Sequence, residues 1–303
     1  MSSLESNILR VLDMLVPKII LRRQGLSRPI ILGIAGLQGS GKSTWASQIV
    51  KLLSSSYELQ AITVSLDDLY KTHDDLIALR GKDPQNKLYR TRGQPGTHDE
   101  QLASQFFQDL EAWVGEDELK IPSFDKSRFG GEGDRAPILE WPVVQGKVDV
   151  VVFEGWCVGF RALSDSDVEL KHQAAQKSRE PEGNESINTL AEHQLSHLKE
   201  LNQNLQRYNN AFMGPQHFDF MIHIDTNDLR NVYRWRLQQE HALIKAKGSG
   251  MTDEQVLAFV RGYMPGYELF LDGLREGFFG AKSERQVRVI LDIERRAKNI
   301  EVI

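Results

Sequence analysis

The hydrophobic positions of the chain fall into short, nearly continuous runs separated by amphipathic stretches. Runs of this kind are typical of strands that are buried on both faces of a parallel sheet. The predicted strands cover residues 29–35, 59–66, 148–153, 218–224 and 286–293, the last of these being the final strand of the chain.

Between these runs, apolar residues recur at the three- and four-residue spacing of α-helices. Helices are predicted at residues 42–54, at 98–114 and along a long polar stretch at 227–244. Thr97 is predicted to cap the second of these helices, with Glu100 completing a capping box. Helices that alternate with buried strands predict an α/β fold with a doubly wound, mainly parallel sheet.

The alternation of strands and helices extends over most of the 303 residues, so we predict a single domain spanning 1–303. Residues 1–28 combine helical apolar spacing with acidic side chains, which predicts a helix packed on this domain and not a targeting segment. Residues 164–206 are the exception, because their centre at 176–188 is polar, with three Glu and two Ser as well as Pro181 and Gly183. This composition predicts a flexible insertion flanked by helical segments.

Charge and cysteine content narrow the possible partners. Lys and Arg number 37 against 42 Asp and Glu, a formal net charge of −5, so no overall positive field favours nucleic acid or an anionic membrane. The one cysteine, Cys157, cannot form an internal disulfide, and no apolar run approaches the ~20 residues that span a bilayer. We therefore expect a cytoplasmic protein that acts on a small molecule, with a monomer as a plausible state.

Residues 36–43 (Gly-Leu-Gln-Gly-Ser-Gly-Lys-Ser) match the P-loop pattern G-x-x-x-x-G-K-[ST] and lie between a predicted strand and a predicted helix. Backbone N–H groups of such a loop surround phosphate oxygens, the lysine reaches the outer phosphates, and the serine hydroxyl joins a magnesium shell. This predicts binding of ATP and Mg²⁺. The predicted nucleotide-binding residues are Gly36, Gln38, Gly39, Ser40, Gly41, Lys42, Ser43 and Thr44. Lys42 is also predicted to be catalytic.

Acidic residues follow two of the predicted strands, where ligands of open α/β sheets bind. Asp67 and Asp68 come after the second strand, and we favour Asp67 as the base that accepts the proton of an attacking hydroxyl. Glu154 follows the third strand, and together with Ser43 it is the predicted metal ligand. Carboxylates at strand ends also cap turns, but a charge at the end of a buried strand favours function.

Two loops, at 90–99 and 121–135, carry cationic side chains suited to an anionic acceptor. Arginine can hold a carboxylate through two parallel hydrogen bonds. The predicted acceptor-binding residues are Asp67, Arg92, His98, Lys126, Arg128 and Arg135. A solvated loop of mixed charge is the alternative, and His98 could simply belong to the start of its helix.

The long polar helix at 227–244 is a candidate lid, with Arg234 or Arg236 closing over the transferring phosphoryl group. Of the two arginines, Arg234 is the one predicted to be catalytic. An exposed helix with an Arg236–Glu240 ion pair explains the same pattern equally well.

Taken together, these segments resemble the D-glycerate 3-kinase family of plants and fungi, within the wider phosphoribulokinase, uridine kinase and pantothenate kinase group of P-loop kinases. The likeness extends over 29–274. The segments that carry it are 36–43, 65–70 (Ser-Leu-Asp-Asp-Leu-Tyr), 96–99 (Gly-Thr-His-Asp), 125–127 (Asp-Lys-Ser), 133–135 (Gly-Asp-Arg), 141–144 (Trp-Pro-Val-Val), 153–156 (Phe-Glu-Gly-Trp) and 235–238 (Trp-Arg-Leu-Gln).

The resemblance implies Mg-ATP-dependent transfer to the 3-hydroxyl of D-glycerate, which gives 3-phosphoglycerate. It also implies that Asp67 is the base, that Glu154 is the acid after the third strand, and that the cationic loops hold the glycerate carboxylate. The chain departs from the family pattern at Thr91, where the family tends to have Tyr, at Gln94 and Pro95, where it tends to have Asn-Ala, and at Gly262, where it tends to have Arg.

Two other hypotheses stay open at this stage. One is a kinase of the same fold that uses another small acceptor, such as a nucleoside, a sugar phosphate or pantothenate. The other is an ATP-binding protein that acts through a partner, which the predicted insertion at 164–206 would support because such segments often order on binding.

Overall fold

The computed structural model of the protein describes residues 3–178, 185–280 and 282–303, and its α-helices alternate with strands along most of that length. In chain order the helices are α1 (Ser3–Arg23), α2 (Lys42–Tyr57), α3 (His73–Lys82), α4 (Glu100–Ala112), α5 (Asp165–Lys177), α6 (Leu195–Tyr208), α7 (Asn231–Lys247), α8 (Asp253–Arg261) and α9 (Met264–Gly277).

The strands form one large sheet and two short ribbons. They are β1 (Ile30–Gly36), β2 (Ala61–Ser65), β3 (Leu119–Lys120), β4 (Phe124–Asp125), β5 (Asp134–Arg135), β6 (Val143–Val144), β7 (Val150–Gly155), β8 (Phe220–Thr226), β9 (Gln286–Leu291) and β10 (Ala297–Val302). The large sheet has the order β10-β9-β8-β1-β7-β2, and β3 pairs with β6 while β4 pairs with β5. All neighbours in the large sheet are parallel except β9 and β10.

The predicted α/β class with a mainly parallel sheet is confirmed. Every residue of β1, β7 and β8 is buried, because helices and loops cover both faces of the sheet centre. The five predicted strands are all present, with small shifts at their ends. Since the central strands are parallel, the segments that follow β1, β2, β7 and β8 all emerge at one edge of the sheet.

Two local predictions are wrong. Helix α4 begins at Glu100 and is capped by Asp99, whose carboxylate accepts from the Gln101 and Leu102 N–H groups. Thr97 does not cap it, because the Thr97 hydroxyl donates to the Gln94 carbonyl instead. The predicted strand at 286–293 is not the last one, since β10 pairs with it after a tight turn.

The two segments predicted to lie outside the alternating pattern both contain α-helices. In α1 the side chains of Ile8, Leu12 and Ile19 belong to the main hydrophobic cluster. Residues 164–206 contain α5 and most of α6, and part of the centre predicted to be flexible, 179–184, lies outside the described residues. In the described ranges no helix combines the length and apolar character needed to cross a membrane.

Candidate active site

The P-loop connects β1 to α2 at the edge of the sheet where the strands end. Gly39 (φ 81°) and Gly41 (φ 89°) both have left-handed backbone conformations that glycine tolerates best. A Cβ atom on Gly39 would also lie 2.7 Å from Cβ of Trp235, so helix α7 packs directly on the loop. These features give the loop the tight turn that a phosphate site requires.

A cleft of about 150 Å³ opens above this loop. It is lined by Leu37, Gln38, Gly39, Gly41, Lys42, Ser43, Thr44 and Gln239. Two of the predicted nucleotide-binding residues, Gly36 and Ser40, are not among the described residues that line it. Ser40 is buried, and its hydroxyl has no hydrogen-bond partner among the described residues.

Glu154, near the end of β7, faces the start of α2. Its Oε1 accepts hydrogen bonds from the hydroxyls of Ser43 (3.0 Å) and Ser65 (3.2 Å). Its Oε2 lies 3.8 Å from Nζ of Lys42 and is buried without a hydrogen-bond partner in the described structure. Ser43 and Glu154, the two predicted metal ligands, are therefore direct neighbours.

This pair suits Mg²⁺, which usually takes one or two protein oxygens and completes its shell with water and phosphate oxygens. The described residues contain no group of three or more His, Cys, Asp or Glu side chains that could form a self-sufficient metal cage. The hydroxyl of Ser65 adds a third oxygen beside Glu154. Ser65 belongs to the segment 65–70, but its sequence alone does not indicate a role near the metal.

Asp67 lies in a short 3₁₀ turn that follows β2. Its Oδ2 is 2.5 Å from Nζ of Lys126, and its Oδ1 accepts a hydrogen bond of 2.9 Å from the Tyr70 hydroxyl. Burial alone would raise the pKa of this carboxyl, but the positive charges of Lys126 and Lys42 hold it at about 2. Asp67 is therefore an ionised acceptor, oriented by two donors.

The neighbouring carboxyl, Asp68, has a different environment. Burial raises the pKa of Asp68 to about 6, helped by the negative charges of Asp67 and Glu154 and opposed by a hydrogen bond from the Phe124 N–H. Asp68 lies outside the described residues that line the larger cavity, whereas Asp67 lies within them. The geometry therefore favours Asp67 over Asp68 as the group that meets an acceptor.

A cavity of about 710 Å³ adjoins the P-loop and shares Gln38 with the phosphate cleft. Its lining includes Asp67, Tyr70, Arg92 and Lys126, together with residues of α7, of α8 and of the glycine-rich loop that includes residues 130–132. Pockets of this volume hold small molecules. Asp67 is also close enough to Lys42, which lines the phosphate cleft, for the charge of the lysine to lower its pKa.

Of the predicted cationic residues, Arg92 and Lys126 line the cavity. Arg92 donates to the carbonyls of Gly131 (2.8 Å) and Glu132 (2.5 Å), and its guanidinium lies over the ring of Phe124 at 5.3 Å. The loop at 129–133 is thus attached to the loop that carries Arg92, and both form one wall of the cavity.

Arg128 and Arg135 are not among the described residues that line the cavity. Arg128 lies 3.3 Å from Asp125, and Arg135 donates to the Asp99 carboxylate (2.7 Å) and to the Tyr70 carbonyl (3.0 Å). In this arrangement both arginines pair with carboxylates, and their binding of an acceptor stays a prediction.

His98 lies behind the cavity wall. It is fully buried and stacks on Tyr70 with ring centroids 4.4 Å apart, and its Nδ1 lies 3.2 Å from the Tyr208 hydroxyl. Burial lowers the pKa of His98 to about 3, so the ring is neutral at physiological pH. A neutral ring behind Tyr70 supports that tyrosine and does not contact an acceptor in this arrangement.

The arginines near the predicted lid have distinct environments. Arg236, on α7, lines the cavity, lies 3.5 Å from Glu240 and sits over the ring of Phe259. Arg234, the predicted catalytic arginine, is exposed on another face of α7 near Asp228. Arg261 pairs with Glu192. The structure thus brings Arg236, not Arg234, to the cavity, because side chains two residues apart point about 200° apart around a helix of 3.6 residues per turn.

No model of a known protein family matches the chain. It is 38% identical over 250 residues to "Uncharacterized kinase mug58" of Schizosaccharomyces pombe, which covers 82% of this chain and 83% of that protein. It is 34% identical over 269 residues to "D-glycerate 3-kinase, chloroplastic" of Arabidopsis thaliana, covering 88% of this chain and 53%, about half, of that protein.

A solved structure extends the comparison to nearly the whole chain. The D-glycerate 3-kinase of Cryptococcus neoformans superimposes with a TM-score of 0.86 at 34% sequence identity. The match covers 98% of this chain and 99% of that one.

Proposed function

This chain belongs to the D-glycerate 3-kinase family of P-loop kinases, and from that membership we propose that it transfers the terminal phosphoryl group of Mg-ATP to the 3-hydroxyl of D-glycerate. Its general class is that of a phosphotransferase with an alcohol acceptor. The observation that carries the proposal is Asp67, an ionised carboxylate that lines the larger cavity and is close enough to Lys42 of the phosphate cleft for the lysine charge to lower its pKa.

The nucleotide part of the proposal rests on the P-loop. Backbone N–H groups of the loop and the Lys42 ammonium would hold the phosphates, while Ser43 and Glu154 would hold Mg²⁺. The bound metal ion supplies positive charge that offsets the charge of the phosphate oxygens. The unpartnered Oε2 of Glu154 and hydroxyl of Ser40 support this arrangement, because buried polar atoms usually have a partner.

The acceptor part of the proposal rests on the residues that line the cavity beside Asp67. The 3-hydroxyl oxygen attacks the γ-phosphorus, its proton passes to Asp67, and the bond between that phosphorus and the ADP oxygen breaks. Lys126 and Arg92 line the cavity, and in this proposal they would hold the glycerate carboxylate. Arg236 reaches the same cavity from α7 and would neutralise charge on the transferring group.

ADP release by the purified protein tests the proposal, with Mg-ATP in the presence of D-glycerate, L-glycerate, uridine or pantothenate. We expect release to rise strongly with D-glycerate and to stay near the acceptor-free rate with the others. Identification of the phosphorylated product by NMR then separates transfer to the 3-hydroxyl from transfer to the 2-hydroxyl. An unchanged rate with D-glycerate would overturn the assignment of the acceptor.

The apolar lining of the cavity favours a second candidate, a kinase of the same fold with a larger hydroxylated acceptor. The lining includes Leu76, Leu243, Met251 and Phe259, apolar side chains that a molecule the size of glycerate, bound at Asp67, does not need. A rate that is highest with an acceptor carrying an apolar substituent would support this candidate over D-glycerate.

A further inference from the structure

Arg295 lies in the tight turn between β9 and β10 and has a left-handed backbone conformation, with φ of 59°. The turn is closed by hydrogen bonds between the backbones of Asp292 and Arg296 (3.0 Å) and of Arg295 and Asp292 (2.9 Å). Glycine usually occupies such a position, because a side chain there is strained. Strain of this kind persists where surrounding contacts hold the residue in place.

All three nitrogen atoms of the Arg295 guanidinium donate hydrogen bonds. Nε donates to the carbonyl of Gly39 in the P-loop (2.7 Å), one terminal nitrogen donates to the carbonyl of Trp235 (2.8 Å), and the other donates to the side-chain oxygen of Gln238 (2.8 Å). One side chain therefore joins the turn, the P-loop and helix α7.

The same three elements also contact one another directly. The indole N–H of Trp235 donates to the carbonyl of Ile293 in the turn (2.7 Å), and Gly39 packs against the backbone of Trp235 with no room for a Cβ atom. The next residue of α7, Arg236, lines the acceptor cavity. The position of the arginine in that cavity thus depends on how α7 sits on the P-loop.

We propose that Arg295 is a positioning residue that fixes the P-loop against α7, so that nucleotide binding and the placement of Arg236 are mechanically linked. This inference rests on the proposed function, in which the P-loop holds ATP and the cavity holds the acceptor. Because the fork of an arginine matches three acceptors at once, lysine at this position keeps the charge and loses most of the contacts.

The test compares R295G, R295A and R295K with the control R296A. Arg296 lies on the same turn, is exposed and pairs with Asp292 and Glu294, so its removal takes away a charge without touching the P-loop. Binding of a fluorescent ADP analogue with Mg²⁺, kcat and KM for ATP, and the thermal midpoint are measured for each. R295G removes the contacts and relieves the backbone strain, whereas R295A removes the contacts and keeps the strain.

We expect R295G, R295A and R295K each to weaken nucleotide binding about tenfold and to lower kcat, with R296A unchanged. R295G should keep a thermal midpoint closest to that of the wild type. The proposal is overturned if R295G lowers the midpoint alone and leaves binding and kcat unchanged, or if R295K behaves as the wild type, since charge alone would then explain the effect.

The test distinguishes failure of this proposal from misfolding of a variant and from a wrong acceptor assignment. If R295A or R295G does not fold, R295K still tests the three contacts at constant charge. If the wild-type protein does not phosphorylate D-glycerate, binding of the ADP analogue still reports on the P-loop, so failure of the acceptor assignment is distinguished from failure of this proposal.

Discussion

Nζ of Lys126 lies 2.5 Å from Oδ2 of Asp67, and this pair connects the cationic loop at 121–135 to the end of β2. The lysine side chain is 54% exposed and the aspartate 28% exposed. Ion pairs with this much solvent contact contribute only about 0–1 kcal/mol to stability. Lys126 can therefore exchange part of its interaction with Asp67 for an acceptor carboxylate at little cost to the fold.

The first prediction concerns Asp67 as the proton acceptor. D67N should lower kcat by about 10²–10⁴-fold and leave binding of Mg-ADP nearly unchanged, because the amide keeps the shape but cannot take the proton. D74N, on a side chain that is 99% exposed, is the matched control and should keep full activity. Steady-state kinetics and nucleotide titration measure both properties, and full turnover by D67N would refute the base assignment.

The second prediction separates the two arginines of α7. R236A should lower kcat about a hundredfold, because the side chain that lines the cavity would no longer stabilise the charge of the transferring group. R234A should stay near the wild-type rate, because its side chain is exposed away from the cavity. Steady-state kinetics of the two variants are compared, and a larger loss of kcat in R234A would support Arg234 as the catalytic arginine.

That comparison illustrates what the sequence could and could not predict. Patterns within short segments predict the P-loop, the strand ends and the class of sheet. The sequence alone could therefore predict Ser43 and Glu154 as neighbouring metal ligands. The choice between Arg234 and Arg236 depends on the rotation of α7 about its axis, which Trp235 packing on Gly39 determines. No pattern within a short segment of the sequence predicts that contact.

The cationic loops also show that the fold decides which of several similar side chains reaches the cavity. Lys126, Arg128 and Arg135 have the same charge and lie close together in sequence, yet only Lys126 of the three is among the described residues that line the cavity. Arg128 and Arg135 instead pair with carboxylates of neighbouring turns. Charge spacing predicts that such a loop meets an anion, but the fold of the β4–β5 ribbon decides which side chain does so.

The third prediction concerns the Tyr70 hydroxyl, which donates to Asp67. Y70F should lower kcat about threefold to tenfold and leave KM for ATP unchanged, because one of the two donors that orient the carboxylate is lost. Y57F removes a tyrosine hydroxyl that bonds Asp13, outside the groups lining the cavity, and serves as the control. Equal losses of kcat in both variants, or a change confined to KM for ATP, would argue against an orienting role.

The fourth prediction concerns the pH dependence of stability. Burial raises the pKa of Asp68 to about 6, from a usual value of 3.8, so the folded state binds its proton more tightly than the unfolded state. The resulting stabilisation is full below pH ~4 and is lost as pH rises through ~6, a change of up to about 3 kcal/mol. D68N should remove this loss of stability. The free energy of unfolding of D68N minus that of the wild type should therefore be larger at pH 7.5 than at pH 4.5. Urea unfolding at both pH values measures the difference, and equal differences at the two values would contradict the raised pKa.

The last prediction concerns Glu154 and the metal requirement. In E154Q the amide oxygen can still accept from Ser43 and Ser65, but the negative charge beside the phosphate cleft is gone. We expect the Mg²⁺ concentration for half-maximal activity to rise about tenfold, because a carboxylate binds this cation far better than an amide. E116Q, an exposed change in the loop after α4, should titrate like the wild type. Activity is measured across a Mg²⁺ series at saturating ATP. Coincident Mg²⁺ curves for E154Q and the wild type would mean that Glu154 positions Ser43 and takes no part in holding the metal.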